Sequence, residues 1–223
     1  MNRETAALVV QVDGARSLSA GLVAALGAAC DSAEDRPDDN TVILHMSGAP
    51  AGPPDDDVTL ALVSKWERVL RRLERLPAAT IAIASGECGG IALEALLTTD
   101  YRIATPSVRL RMPALGQATW PGMVLFRLAR QAGPAAIRRA VLFGDSVSAA
   151  EAVAMGLIDE LTTDTAADLA AAKALADAIP GTELAIRRQL MQDALSVSFE
   201  DALGAHLAAC DRALRRASAG VGQ

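Results

Sequence analysis

The sequence predicts an α/β chain in which short apolar strands alternate with helices and a helical tail closes the fold. Apolar runs of strand length at Ala6 to Val12, at Thr41 to Met46 and from Thr80 onward are bounded by turn-forming residues. Segments of helix length lie between them, with capping and stop residues where helices need them. With 223 residues, 51% of them hydrophobic, the chain can bury one substantial core and is most simply a single domain.

The first strand, Ala6 to Val12, runs into an Asp13-Gly14 turn, and Ser19 is placed to cap a helix reaching about Ser32. A charged loop from Glu34 to Asn40 leads to the strand Thr41 to Met46. The loop Ser47 to Asp57 is irregular because of its prolines and glycines, and its three consecutive aspartates keep it wet. Val58 to Leu76 reads as an amphipathic helix with Leu62, Val69, Leu73 and Leu76 on its apolar face. Arg68, Arg71, Arg72 and Arg75 lie opposite as a solvated face, and Pro77 ends the helix. A strand from Thr80, a glycine-bearing turn, a helix containing Glu94 and further strands carry the chain to Met112. Asp100 is expected to close the turn after that helix. Ser148-Ala-Ala-Glu151 is a capping box, so a helix starts there and stops at Gly156. Helices after Asp164, Gly181 and Ser198 complete the chain, and Ala217 to Gln223 are expected to be loose.

Composition excludes several classes of function. A formal net charge of -6 argues against general nucleic-acid binding. Cys30, Cys88 and Cys210 are far apart and odd in number, which suggests reduced thiols rather than a disulfide framework. The N-terminus has neither the basic start nor the apolar run of a signal peptide, and no uninterrupted apolar stretch of about 18 residues would span a bilayer. A cytoplasmic location without membrane attachment is the expectation. His45 and His206 have no second ligand at helical spacing, so no metal site is expected.

The stretch Thr80-Ile-Ala-Ile-Ala-Ser-Gly-Glu-Cys-Gly-Gly-Ile-Ala-Leu-Glu94-Ala-Leu-Leu-Thr-Thr-Asp100-Tyr-Arg-Ile-Ala104 carries the most chemical information. A turn running into a helix N-terminus presents backbone N–H groups that lack intrahelical partners, and these suit developing negative charge on a carbonyl oxygen. Gly86, Gly89 and Gly90 let the backbone bend and let a ligand approach closely. Glu94 follows one turn into the helix. Surrounded by Ile91, Leu93, Leu96 and Leu97, its carboxyl is expected to be desolvated and raised in pKa, as suits a group that takes a proton and returns it. Cys88 lies in the same turn, but no histidine is placed to activate it and it reads as a small core residue.

This stretch resembles the signature of the crotonase, or enoyl-CoA hydratase/isomerase, superfamily. Gly86 stands for the first family glycine, Gly90-Ile91-Ala92 for the triple glycine, Glu94 for the first catalytic glutamate and Asp100 for the aspartate before Ile-Ala. Met112-Pro113-Ala114-Leu115-Gly116 sits where the family has Pro-Glu before Leu-Gly, and Trp120-Pro121-Gly122 where it has Pro-Gly. Leu142 to Asp159 matches the family's Ser-Ala and Gly-Leu segment. The resemblance implies a crotonase-like (ClpP/crotonase) spiral of stacked β-β-α units over residues 1–161. Residues 162–223 would form a C-terminal helical region of the same domain, used for oligomerisation into a homotrimer or hexamer. It also implies enolate chemistry on an acyl-CoA thioester, with coenzyme A as part of the substrate and no separate cofactor. Glu94 would be the catalytic group, and Gly90, the N–H of Ile91 and that of Ala51 the oxyanion hole. Arg16, Gly86, Gly89 and Trp120 would contact substrate, Arg16 near the CoA phosphates and Trp120 lining the acyl pocket. Arg212, Arg215 and Arg216 would meet a neighbour's CoA or form a solvated face.

The departures from the family pattern are informative. The position of the second hydratase glutamate is Ala114, Ile91 and Ala92 replace glycines, and the first oxyanion loop is rich in proline. In these respects and in its shortness the chain is similar to the small crotonase-like dehydratases of dihydroxyphenylglycine biosynthesis, which work beside a type III polyketide synthase. That similarity implies dehydration and aromatisation of a polyketide-CoA to 3,5-dihydroxyphenylacetyl-CoA. The alternatives are a generic enoyl-CoA hydratase/isomerase, with Asp55, Asp56 or Glu87 as second acid, and a non-catalytic partner subunit of the synthase.

Overall fold

Near-continuous apolar runs in the first three strands predict a sheet buried on both faces, and such burial is typical of parallel strands joined by helices. The computed structural model, which describes residues 6–36, 40–112 and 122–220, has the parallel strands joined by helices, with β2 and the first half of β3 largely buried on both faces and β1 on one, its Val9 being exposed. The strands are β1 (Ala6–Asp13), β2 (Asn40–Gly48), β3 (Ala79–Cys88), β4 (Tyr101–Ala104), β5 (Arg109–Leu110), β6 (Val147–Ser148) and β7 (Glu160–Leu161). The helices are α1 (Ala20–Asp35), α2 (Leu60–Leu73), α3 (Ile91–Leu96), α4 (Val124–Ala132), α5 (Pro134–Phe143), α6 (Ala149–Ala154), α7 (Thr165–Asp177), α8 (Gly181–Asp193) and α9 (Phe199–Gly220).

The order β1-β2-β3-β4-β7 is parallel throughout. β3 is longer than its neighbours and changes partners along its length. Its first half lies between β2 and β4, whereas Glu87 and Cys88 pair with Arg109 and Leu110 of β5, which pairs antiparallel with β6. The predicted glycine turn is therefore shorter than the sequence suggests. Gly86 lies inside β3 at φ 60°, and the turn into α3 is made by Gly89 and Gly90, the latter at φ 51°.

The helix caps follow the sequence closely. The Oγ of Ser19 accepts the N–H of Leu22 to open α1, and Ser148 and Glu151 form the predicted capping box of α6. α2 is shorter than predicted, starting after Thr59 and ending at Leu73. Its buried face is Trp66, Leu70 and Leu73, with Leu62 and Val69 only partly covered. The helices α4 and α5 were not anticipated, because the apolar spacing between Met112 and Ser148 is broken by Gly133 and Pro134, which separate the two. Residues 217–220 continue α9 rather than being loose, and 221–223 lie outside the described residues.

Two buried arginines tie the helices to the sheet. Arg102 of β4 donates to the carbonyls of Leu97 at 3.0 Å and Thr99 at 3.1 Å, at the C-terminal end of α3, and Gln131 of α4 donates to the same Leu97 carbonyl at 2.7 Å. Burial holds the Arg102 pKa below the usual arginine value. Arg188 of α8 grips Asp100 with two bonds of 2.6 Å and also donates to the carbonyls of Leu76 and Ala78. Asp100 in turn accepts the N–H and hydroxyl of Thr80, so it closes the turn as expected.

Cys30 and Cys88 are buried and Cys210 is exposed. Burial pushes the Cys30 thiol up to about 11 and the Cys88 thiol up to about 12, which removes any nucleophilic role for Cys88 at neutral pH.

Replacing Arg188 by Met strips Asp100 and two carbonyls of their shared donor, and chemical denaturation is expected to show a loss of about 3 kcal/mol. In the native protein one thiol, Cys210, should react promptly with a chromogenic disulfide reagent. The other two should appear only on unfolding, as followed by absorbance with and without denaturant.

Candidate active site

The entrance to α3 is assembled from glycines that allow backbone to touch backbone. The N–H of Gly89 donates to the carbonyl of Gly48 at 2.9 Å. A Cβ on Gly89 would sit 2.9 Å from the Cβ atoms of both Ala49 and Arg111, and one on Gly14 would strike the carbonyls of Gly89 and Gly48. Such distances leave no room for a side chain, so the β1 turn, the loop after β2 and the start of α3 converge.

A cleft of about 650 Å³ opens at this junction, with Arg16, Ser17, Ala51, Asp55 and Ile91 among its lining residues. The N–H of Asp55 donates to the Ser17 hydroxyl at 3.0 Å and ties the proline-rich loop across the turn. Ile91 is the first residue of α3, so its N–H has no intrahelical acceptor. Pro50, Pro53 and Pro54 contribute no N–H to the cleft, which leaves Ala51 and Gly52 as the amides of that stretch. Among the lining residues Arg16 is the only base, facing a site that also contains Asp13 and Asp55. Arg16, Ala51 and Ile91 are thus brought together at one cleft. Gly86, Gly89 and Gly90 do not line the cleft: Gly86 belongs to the strand and the other two shape the turn.

Glu94 lies one turn beyond Ile91 and is 1% exposed, the only acid of α3. The indole Nε1–H of Trp66 donates to its Oε2 at 2.5 Å. Its Oε1 rests against Gly122, where an added Cβ would collide with it. That same Cβ position is 3.4 Å from Oε1 of Glu67, so two carboxylates from different helices face one residue. Glu67 is held in turn by the N–H of Met123 at 2.8 Å and by Arg127 at 2.9 Å. Arg127 also binds Glu74 at 2.8 Å, and Glu74 binds Arg71 at 2.8 Å. Burial works against the charge on Arg127, but Glu67 and Glu74 outweigh it and leave its pKa above the usual value.

The acids considered as a second group do not take part in this cluster. Asp55 and Asp56 are exposed on the cleft loop, and Glu87 is half-exposed and paired with Arg111 at 3.0 Å. Arg212 and Arg216 lie 3.6 Å from Glu183, and Arg215 pairs with Asp211, so the C-terminal arginines have partners within the helical tail. Trp120 and Ala114 lie outside the described residues. Among the described residues no group of histidine, cysteine or acid side chains is arranged to hold a metal, and no helix is long and apolar enough to cross a membrane.

Trp66 and Glu67 were missed by the sequence reading. The spacing Trp66, Leu70, Leu73 was the available signal for the first, since a buried indole N–H requires an acceptor. Glu67 meets α4 some 56 positions downstream, and no local pattern announces that contact.

A family model described as Enoyl-CoA hydratase/isomerase matches residues 56–217. An "Enoyl-CoA-hydratase" from Amycolatopsis orientalis is 53% identical over 209 residues, covering 94% of this chain and 96% of that protein. Solved structures share the fold at lower identity. A Pseudomonas aeruginosa protein superposes with TM-score 0.77 at 22% identity, covering 92% of this chain and 94% of that one. An enoyl-CoA hydratase from Mycobacterium smegmatis superposes with TM-score 0.76 at 21% identity, covering 92% and 87%. With its parallel sheet, its glycine-built entrance to α3 and Glu94 one turn inside, the chain belongs to the enoyl-CoA hydratase/isomerase, or crotonase, family.

Proposed function

We propose that this protein is a dehydratase of the family, acting on the CoA thioester of a cyclised polyketide and assisting its aromatisation to 3,5-dihydroxyphenylacetyl-CoA. The observation that carries the reading is the state of Glu94, a dehydrated carboxyl one helical turn from an amide that opens onto a polar cleft. The thioester carbonyl would lie against the N–H groups of Ile91 and Ala51, with the CoA portion along the cleft past Arg16. Glu94 takes the proton next to the carbonyl, and the charge that develops on the oxygen is met by the two amides, worth about 3 kcal/mol each to the transition state. The β-hydroxyl then leaves with the proton returned by Glu94, releasing water and regenerating the carboxylate. One group serves as base and then as acid, and formation of an aromatic ring drives the second step. The apolar residues Leu203, Leu207 and Leu214, exposed along α9 in the single chain, support assembly into a trimer or hexamer. A type III polyketide synthase that supplies the cyclised chain is the proposed partner.

The test supplies such a synthase with malonyl-CoA and follows aromatic product by chromatography, alone, with this protein and with its Glu94→Gln variant. Wild type should raise product formation, and the variant should lose about 100-fold or more of that stimulation. Equal stimulation by both proteins would replace catalysis with a binding role. No stimulation by either, with turnover of crotonyl-CoA, would make the protein a general hydratase/isomerase.

A further inference from the structure

Glu94 is the group on which the proposed reaction depends, and its two oxygens are located by different means. Oε2 is held directly, by the Trp66 indole at 2.5 Å. Oε1 lies against Gly122, an exposed residue with no side chain, which walls it on that side. What keeps that wall in place is Glu67. Its Oε1 accepts the N–H of Met123, the residue that opens α4, and its Oε2 meets Arg127 one turn into the same helix. Met123 and Gly133 give α4 no side-chain cap of their own, so Glu67 supplies that cap from another helix.

We propose that the adjacent residues Trp66 and Glu67 of α2 are positioning residues for Glu94, the first by fixing Oε2 and the second by clamping the Gly122–Met123 backbone against Oε1. Neighbours in sequence project about 100° apart around a helix, so one turn of α2 can address both the carboxyl and the segment that covers it. Glu67 acts through backbone and does not itself transfer a proton. Its Oε1 accepts the Met123 N–H and its Oε2 is ion-paired with Arg127, and the role requires only an acceptor for the Met123 N–H. Arg127 is also held by Glu74, which fixes the cation but makes no contact with Met123. Gly122 is correspondingly restricted: any side chain there displaces Glu94 rather than the wall.

The role in catalysis rests on the reading of Glu94 as acid-base group, but the geometry can be tested without substrate. The chain has two tryptophans, so the ¹⁵N-labelled protein shows two indole N–H signals, and Trp120→Phe assigns them. The Trp66 signal should lie downfield and should move in Glu94→Gln. Glu67→Ala and Gly122→Ala should move it too, although neither touches the indole, whereas Glu67→Gln, which keeps an acceptor for Met123, should leave it near its wild-type position. In whichever assay shows turnover, Glu67→Ala should lower kcat about tenfold or more with KM changed less than about threefold, and Glu67→Gln should recover most of the rate. A Trp66 signal unmoved in both Glu67→Ala and Gly122→Ala would overturn the proposal. So would a Glu67→Gln protein as inactive as Glu94→Gln with its Trp66 signal in place, because Glu67 would then be an acid-base group itself. Should wild type turn over nothing, the indole signals still decide the positioning, and only the reading of the reaction fails.

Discussion

A carboxyl group stripped of water is the constraint around which this molecule is organised. Leaving a polar group buried without a partner costs several kcal/mol, so the structure has to bring donors to Glu94 and keep them there. It does so on a helix of six residues, far too short to hold its shape alone. α3 is fixed from both ends instead. Its N-terminus is seated in the glycine contacts among Gly14, Gly48 and Gly89, and its last carbonyls are taken by Arg102 and Gln131. The side chains between them are buried without exception. Moving Glu94 therefore means moving a sheet, a turn or α4.

The sheet supplies the frame for this. β3 pairs with β2 and β4 in its first half and with β5 at Glu87 and Cys88, and after the register shift between Met46 and Gly48 its pairing with β2 resumes at Gly48 and Cys88, where the chain turns into α3. The cleft lies beside this junction, with Ile91 among its lining residues and the loop that Ser17 holds along its border. Side-chain volume decides what is possible here. Three glycines at one crossing let backbones meet, with the Gly14 N–H donating to Ser47 and the Gly89 N–H to Gly48, and it is the Ile91 amide just beyond them that lacks an intrahelical acceptor.

Much of this was legible in the sequence because the relevant signals are local. The strand, turn and helix around Glu94 follow from apolar runs interrupted by glycine, and the caps at Ser19, Ser148 and Asp164 follow from residue types at fixed offsets. The Asp100 turn was legible for the same reason, although its partner Arg188 was not, lying 88 positions away. The length of β3 was misread because Gly86 is an ordinary turn signal, and only the arrival of β5 extends the strand past it. α2 shows the other limit. Its apolar stripe suggested a face of Leu62, Val69, Leu73 and Leu76, of which Leu73 and Leu76 are buried, but Trp66 is buried with them against Glu94 while Leu62 and Val69 are only partly covered, and Glu67 reaches α4. A helical period identifies which residues share a face, not which face a distant carboxyl requires.

The two halves of the site have opposite relations to water, and this bears on the kind of chemistry they can support. The cleft is open and polar, lined by Asp13, Arg16, Ser17 and Asp55, whereas Glu94 lies behind a single exposed glycine with an indole on its other side. Water addition needs a water held between groups that activate it. A carboxyl packed against backbone and a neutral N–H donor is better suited to exchange a proton with a carbon acid brought to it, because no solvent competes for the lone pairs. Glu67, which also faces Gly122, accepts the Met123 N–H and is ion-paired with Arg127. Its attachment to α4 rather than to the cleft is what the proposed single-carboxylate elimination requires, in which one group takes the proton and gives it back.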